Sequence, residues 1–188
     1  MEDRRQLPVF ARQHAPRPYC LPQARGALST RKTRPKICCV SPTLSRVSIS
    51  HHARSVAYDR ELLERLTHSA LPRCLALAIK NEAELASLPS LEISVLGSRA
   101  MAKVHREFLN IPGATDVITF PYGEILICAH IAAARAPEFG HSTTQELALY
   151  IIHGLLHLSG FDDLTPSEAE KMAAAQQQIL KLLLSEER

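Results

Sequence analysis

The run His153-Gly154-Leu155-Leu156-His157-Leu158-Ser159-Gly160-Phe161-Asp162-Asp163 decides how this chain is read. On a helix, residues four apart lie on one face about one turn from each other, so His153 and His157 present two imidazoles side by side. Gly160 offers a left-handed position at which such a helix can stop. Asp162 and Asp163 follow at once, so the chain can double back and bring a carboxylate to the same two rings. Two neutral imidazoles, one carboxylate and one position left for water are what a catalytic zinc requires. A histidine pair at this spacing alone is common and usually structural. The third ligand beyond a glycine turn is what points to a metal.

Working outward, Thr143 and Glu146 have the spacing of a capping box, and Leu147, Tyr150, Ile151, Leu155 and Leu158 follow at helical period. Thr165-Pro166-Ser167-Glu168 opens a last helix with an N-cap, a proline in the first turn and a glutamate three residues on. Upstream, Val47 to Ser50 and Leu91 to Leu96 alternate like strands. Asp59 to Lys80 reads as a helix that Pro72 breaks or kinks. Ser98 caps a helix to about Leu109. Asp116 to Pro121 and Glu124 to Cys128 read as a hairpin around Tyr122-Gly123, followed by a short helix from His130 to Arg135. Strands and helices interleave with too few regular βα units for a doubly wound sheet. The expected class is α+β, a small mixed sheet packed with helices around a central metal-binding helix.

The net charge of +3 is unevenly distributed. Residues 1–45 carry nine Lys/Arg, two acids and half of the twelve prolines, for a local charge of +7, so the rest of the chain is at −4. The head therefore reads as a disordered basic tail. A transit peptide, an RNA tether and an upstream start assignment compete to explain it, the last being preferred. The folded domain spans 46–188, and its charge alone does not announce a nucleic-acid binder. Five cysteines without a CxxC pair read as reduced thiols of a cytoplasmic protein. No apolar run is long enough to span a membrane.

The zinc-protease helix HExxH places its general base beside the first histidine. Here that position is Gly154, which argues against a peptidase. A metal can still act as Lewis acid on a phosphoryl oxygen without that glutamate. Asp163 is preferred over Asp162 as third ligand, leaving Asp162 to orient a ligand or cap a turn.

At these residues the chain resembles the YbeY family of bacterial endoribonucleases, whose signature HGxLHLxGYDH compares with HGLLHLSGFDD. Thr115-Asp116-Val117-Ile118-Thr119-Phe120-Pro121 is similar to the family's PTDVLSFP segment, and Gly123 to Cys128 to its GDIxIC strand. The resemblance covers about residues 47–180. It implies one zinc on His153, His157 and Asp163, with aspartate in place of the family's third histidine. It also implies an endoribonuclease of ribosomal RNA maturation and quality control, with ribosomal RNA and ribosome-associated proteins as partners, no DNA and no membrane. Phe161 replaces the signature tyrosine. The basic residue that many members carry six positions before the PTDV threonine is Leu109 here, so another cation is needed. Arg106 is the candidate catalytic residue, with Lys103 behind it. His105 and His130 are candidate cleft residues, Thr115 and Asp116 shape the cleft floor, and His51, His52, His68 and His141 read as surface. With 5% aromatic residues and no tryptophan, base-stacking platforms are scarce. Two rivals stand beside this reading. One is another zinc hydrolase, with Glu124 or Glu146 as a distant base. The other is a ribosome assembly factor without catalysis.

Overall fold

A computed structural model of the chain describes residues 46–79 and 83–187. The basic head and its competing explanations lie outside these residues. Along the described chain run β1 (Val47–His51), α1 (Arg60–Ala76), β2 (Leu91–Leu96), α2 (Ser98–Leu109), β3 (Val117–Phe120), β4 (Glu124–Cys128), α3 (Ala129–Arg135), α4 (Thr143–Leu158) and α5 (Pro166–Glu186). The four strands form one sheet in the order β1-β2-β4-β3. β1, β2 and β4 are parallel, while β3 pairs antiparallel to β4 along the outer edge. This is the expected mixed sheet of an α+β domain.

Alternation along the strands divides the core in two. Leu91, Ile93 and Val95 of β2 and Ile125 and Ile127 of β4 face α1, α4 and α5. Ile118, Phe120, Leu126 and Cys128 face Met101 of α2 on the other side. α4 is buried nearly all round, with Leu147, Leu149, Tyr150, Ile151, Ile152, Leu155 and Leu156 at or below 1% exposure. A helix apolar on every side is a core helix, and here α1, α3, α5 and the sheet enclose it. Each such side chain contributes about 1.5–3 kcal/mol on burial.

Three local expectations shift. Pro72 lies within α1 without ending it. Its missing N–H would have bonded the carbonyl of His68, an exposed residue, where water can substitute. The capping box of α4 is Ser142 with Gln145, not Thr143 with Glu146. Ser142 Oγ accepts the Gln145 N–H at 3.2 Å and Gln145 Oε1 accepts the Ser142 N–H at 2.8 Å. Two overlapping registers satisfied the same sequence pattern, and the one that turns Glu146 inward wins. Finally, Ser98 is the first residue of α2, and Gly97 is its N-cap.

Candidate metal centre

α4 ends in a Schellman motif. Gly160, at φ +90°, donates its N–H to the His157 carbonyl, and Phe161 donates to Leu156. This bend reverses the chain directly after the second imidazole. Asp162 accepts the N–H of Asp163 at 2.8 Å, which tightens the turn. The result is that one ligand atom each of His153, His157 and Asp163 lie within 4.8 Å of one another. Asp162 is occupied by its own turn, while Asp163 is the carboxylate that reaches the rings.

The two imidazoles are held in a definite protonation pattern. His157 Nδ1 donates to the Phe161 carbonyl at 3.1 Å, and His153 Nδ1 donates to Gln176 Oε1 at 3.2 Å. Both partners are oxygen acceptors, so each ring carries its proton on Nδ1. The unprotonated Nε2 atoms then face each other at 3.1 Å. Two lone pairs at that distance repel unless a cation sits between them. With a carboxylate alongside, the nitrogen–oxygen donor set fits a zinc-like divalent ion.

Burial, and then the neighbouring His157, lower the His153 pKa to about 4, against the opposing pull of Asp163, Asp116 and the Gln176 hydrogen bond. His153 is therefore neutral and able to bind metal throughout the neutral range. A histidine whose folded pKa is depressed leaves stability unaffected above its unfolded value of about 6.5, where both states are neutral. Between about 6.5 and 4 only the unfolded state takes up the proton, so stability falls as pH falls. Urea unfolding of metal-free protein is expected to lose about 3 kcal/mol from this group across that window. His153→Gln should show a correspondingly shallower decline; an identical pH profile would contradict the assignment.

Gly154 occupies the contact between α4 and the sheet. A Cβ there would meet Thr119 Oγ1 at 2.8 Å and Ile125 Cδ1 at 2.9 Å. The position that carries the base in HExxH is thus pressed against β3 and β4, with no room for a glutamate.

The remaining candidates separate. Glu146 shares a face of α4 with Tyr150, His153 and His157, yet it lies seven residues before His153, roughly 10 Å along the axis. It is fully buried and accepts from His141 Nδ1 at 2.9 Å. His141 is accordingly not a surface residue but the partner of a buried carboxylate. Tyr150, between Glu146 and the imidazoles, is kept un-ionised first by burial and then by the Glu146 and Asp116 charges. Glu124 accepts from the Tyr122 hydroxyl at 3.1 Å on the hairpin. His105 is bonded to the Gly113 carbonyl, and His130 to Ser55 and the Ser98 N–H, so both serve loop structure. His51, bonded to Tyr58 and Glu64, is also partly buried.

Arg106 is not brought to the imidazoles. It lines an open groove of about 410 Å³ with Arg99, Ala102, Lys103 and Glu107 on the outer side of α2, and α2 covers the sheet face opposite α4. Leu109 packs into the α2 side of the core. Asp116 is different. Its Oδ1 accepts from the Thr115 hydroxyl and the Val117 N–H, and its Oδ2 lies 3.9 Å from Arg135 of α3. Its charge acts on both Tyr150 and His153, which sets Asp116 and Arg135 beside α4. Arg135 and Gln176 went unrecognised in the sequence. For Gln176 a signal existed, a polar residue at a buried helical period in α5.

Comparison with known proteins fits this geometry. The endoribonuclease YbeY family model matches residues 48–184, which include every element that builds the site. The chain belongs to this family. The endoribonuclease YbeY of Clavibacter sepedonicus is 34% identical over 143 residues, covering 67% of this chain and 88% of that protein. Its counterpart in Mycolicibacterium gilvum is 35% identical over 120 residues, covering 53% of this chain and 67% of that protein. The solution structure of TM1509 from Thermotoga maritima shares the fold, with a TM-score of 0.54 at 24% identity over 74% of this chain and 90% of that one. Among the described residues no helix is long and apolar enough to cross a membrane.

Proposed function

We propose that this family member is a zinc-dependent endoribonuclease of the cytoplasm that cleaves phosphodiester bonds in precursor or defective ribosomal RNA. The observation that carries the reading is the convergence of His153, His157 and Asp163 in a chain matched by an endoribonuclease family. Both histidine Nδ1 atoms are spent on fixed acceptors and both Nε2 atoms are turned inward. A zinc ion held there supplies Lewis acidity toward a phosphoryl oxygen and a water acidic enough to serve near neutral pH.

The chain's own residues have distinct parts in this. His153, His157 and Asp163 bind. The Gly160 bend delivers Asp163, and Asp162 holds the bend. Asp116, paired with Arg135, sets its charge beside His153 on this side of the sheet, whereas Arg106 lines a groove on the outer side of α2. The closed contact at Gly154 weighs against the peptidase alternative. Ribosomal RNA and ribosome-associated proteins are the proposed partners.

The test is metal analysis of purified protein coupled to cleavage of a ribosomal RNA precursor. Wild type should hold about one zinc per chain. Asp163→Ala should lose roughly 10- to 100-fold or more in zinc affinity, with cleavage falling in step. Asp162→Ala should retain zinc at working concentrations and lose only turn stability. Equal zinc affinity in wild type and Asp163→Ala would remove Asp163 from the ligand set, and metal-loaded wild type that leaves the RNA intact would end the endoribonuclease reading.

A further inference from the structure

α5 lays an apolar stripe on the core through Met172, Ile179, Leu180 and Leu183, all at 3% exposure or less. One polar residue interrupts it. Gln176 is 4% exposed, at the helical period of that stripe. A buried amide costs free energy unless it is hydrogen-bonded, and leucine at this position would pack without that cost. Gln176 Oε1 reaches across to α4 and accepts from His153 Nδ1 at 3.2 Å.

We infer that Gln176 is a positioning residue for metal binding, setting the tautomer and the ring plane of His153. An acceptor at Nδ1 keeps the proton there, which leaves the Nε2 lone pair for the ion. The two imidazoles are served differently. His157 leans on the backbone carbonyl of Phe161, within the bend that also delivers Asp163. His153 leans on a side chain from a separate helix, 23 residues further along. The Schellman bend thus preorganises one imidazole and the carboxylate, while the other imidazole depends on the docking of α5 against α4. Without the Gln176 acceptor His153 can move its proton to Nε2, where it blocks the ion. A neutral amide also adds no charge to a site that already holds a carboxylate.

This inference rests on the metal reading above but needs no RNA to test. Zinc affinity is measured by competition with a chromophoric chelator for wild type, Gln176→Leu and Gln176→Glu, alongside thermal melting of each metal-free protein. Gln176→Leu should bind zinc about 10- to 100-fold more weakly, the usual effect of losing such a partner. Its metal-free melting temperature should not fall, because the stripe becomes continuous. Gln176→Glu restores an acceptor and should recover tight binding. A residue that only holds α5 to α4 would give the opposite pattern, with lowered melting and unchanged zinc affinity, and that result overturns the inference. So does a glutamate that fails to recover binding while the protein stays folded, and so does wild type that takes up no zinc. Wild type that binds zinc in a Gln176-dependent way yet cleaves no RNA sinks the endoribonuclease proposal and leaves this one standing.

Discussion

His157→Ala is expected to empty the metal site and abolish RNA cleavage while leaving the fold intact. The variant removes one of only two nitrogen ligands, and the pair that remains, His153 and Asp163, comes from opposite sides of the Gly160 bend. Zinc should fall from about one per chain to near none. Cleavage should fall at least roughly 100- to 1,000-fold, the order seen when a group that stabilises charge at the reacting centre is lost. The metal-free fold should change little. His157 is only partly buried, and its loss relieves the repulsion between two Nε2 lone pairs 3.1 Å apart. Wild type should gain thermal stability on adding zinc, through preferential binding to the folded state, and His157→Ala should not. A variant that still cleaves RNA at the wild-type rate would separate the activity from this site altogether.

Gly154→Glu is expected to destroy the fold rather than create a peptidase. It writes HExxH into the chain, so by motif alone it should be a gain of function. The geometry says otherwise. Even a Cβ at this position comes within 3.0 Å of Thr119 Oγ1 and of two atoms of Ile125 on adjacent strands. Gly154→Ala should therefore cost about 1–3 kcal/mol through overpacking. The glutamate adds a carboxylate with no water and no partner, so its total cost should reach about 4–8 kcal/mol, comparable with the whole stability of a marginally stable domain. Soluble expression and urea unfolding read this directly. A Gly154→Glu protein that melts like wild type and hydrolyses peptides would refute the packing account.

Much of the architecture could be read along the chain because its signals are local. Strand alternation in Leu91–Leu96 and the capping box at Thr165 depend only on neighbours within a few residues, and both appear as expected. Where two local patterns overlap, as at Ser142-Gln145 and Thr143-Glu146, the sequence has no means of ranking them. The choice depends on Glu146 meeting His141 inside the fold. The same holds for His141 and His51, whose burial depends on packing partners, and for Pro72, tolerated because its turn faces solvent.

The candidate metal ligands were legible for a further reason. His153, His157 and Asp163 fall within eleven residues, so helical pitch and a single bend suffice to gather them. Residues brought together through the third dimension left at most a faint trace, as Gln176 did in the apolar stripe of α5. Arg106 is the natural cation by sequence distance, yet the sheet separates α2 from α4, and on the α4 side Arg135 pairs with Asp116. Gln176 needed α5 to fold back on α4 before its amide had anything to bind. Short-range signals thus pointed to the α+β class and gathered the three candidate ligands, while the family showed through the resemblance of two local motifs. Packing of helices on the two faces of one sheet decided that α2 with Arg106 lies across the sheet from α4, that Gln176 meets His153 and that Gly154 meets β3 and β4, because those contacts join residues that covalent spacing does not relate.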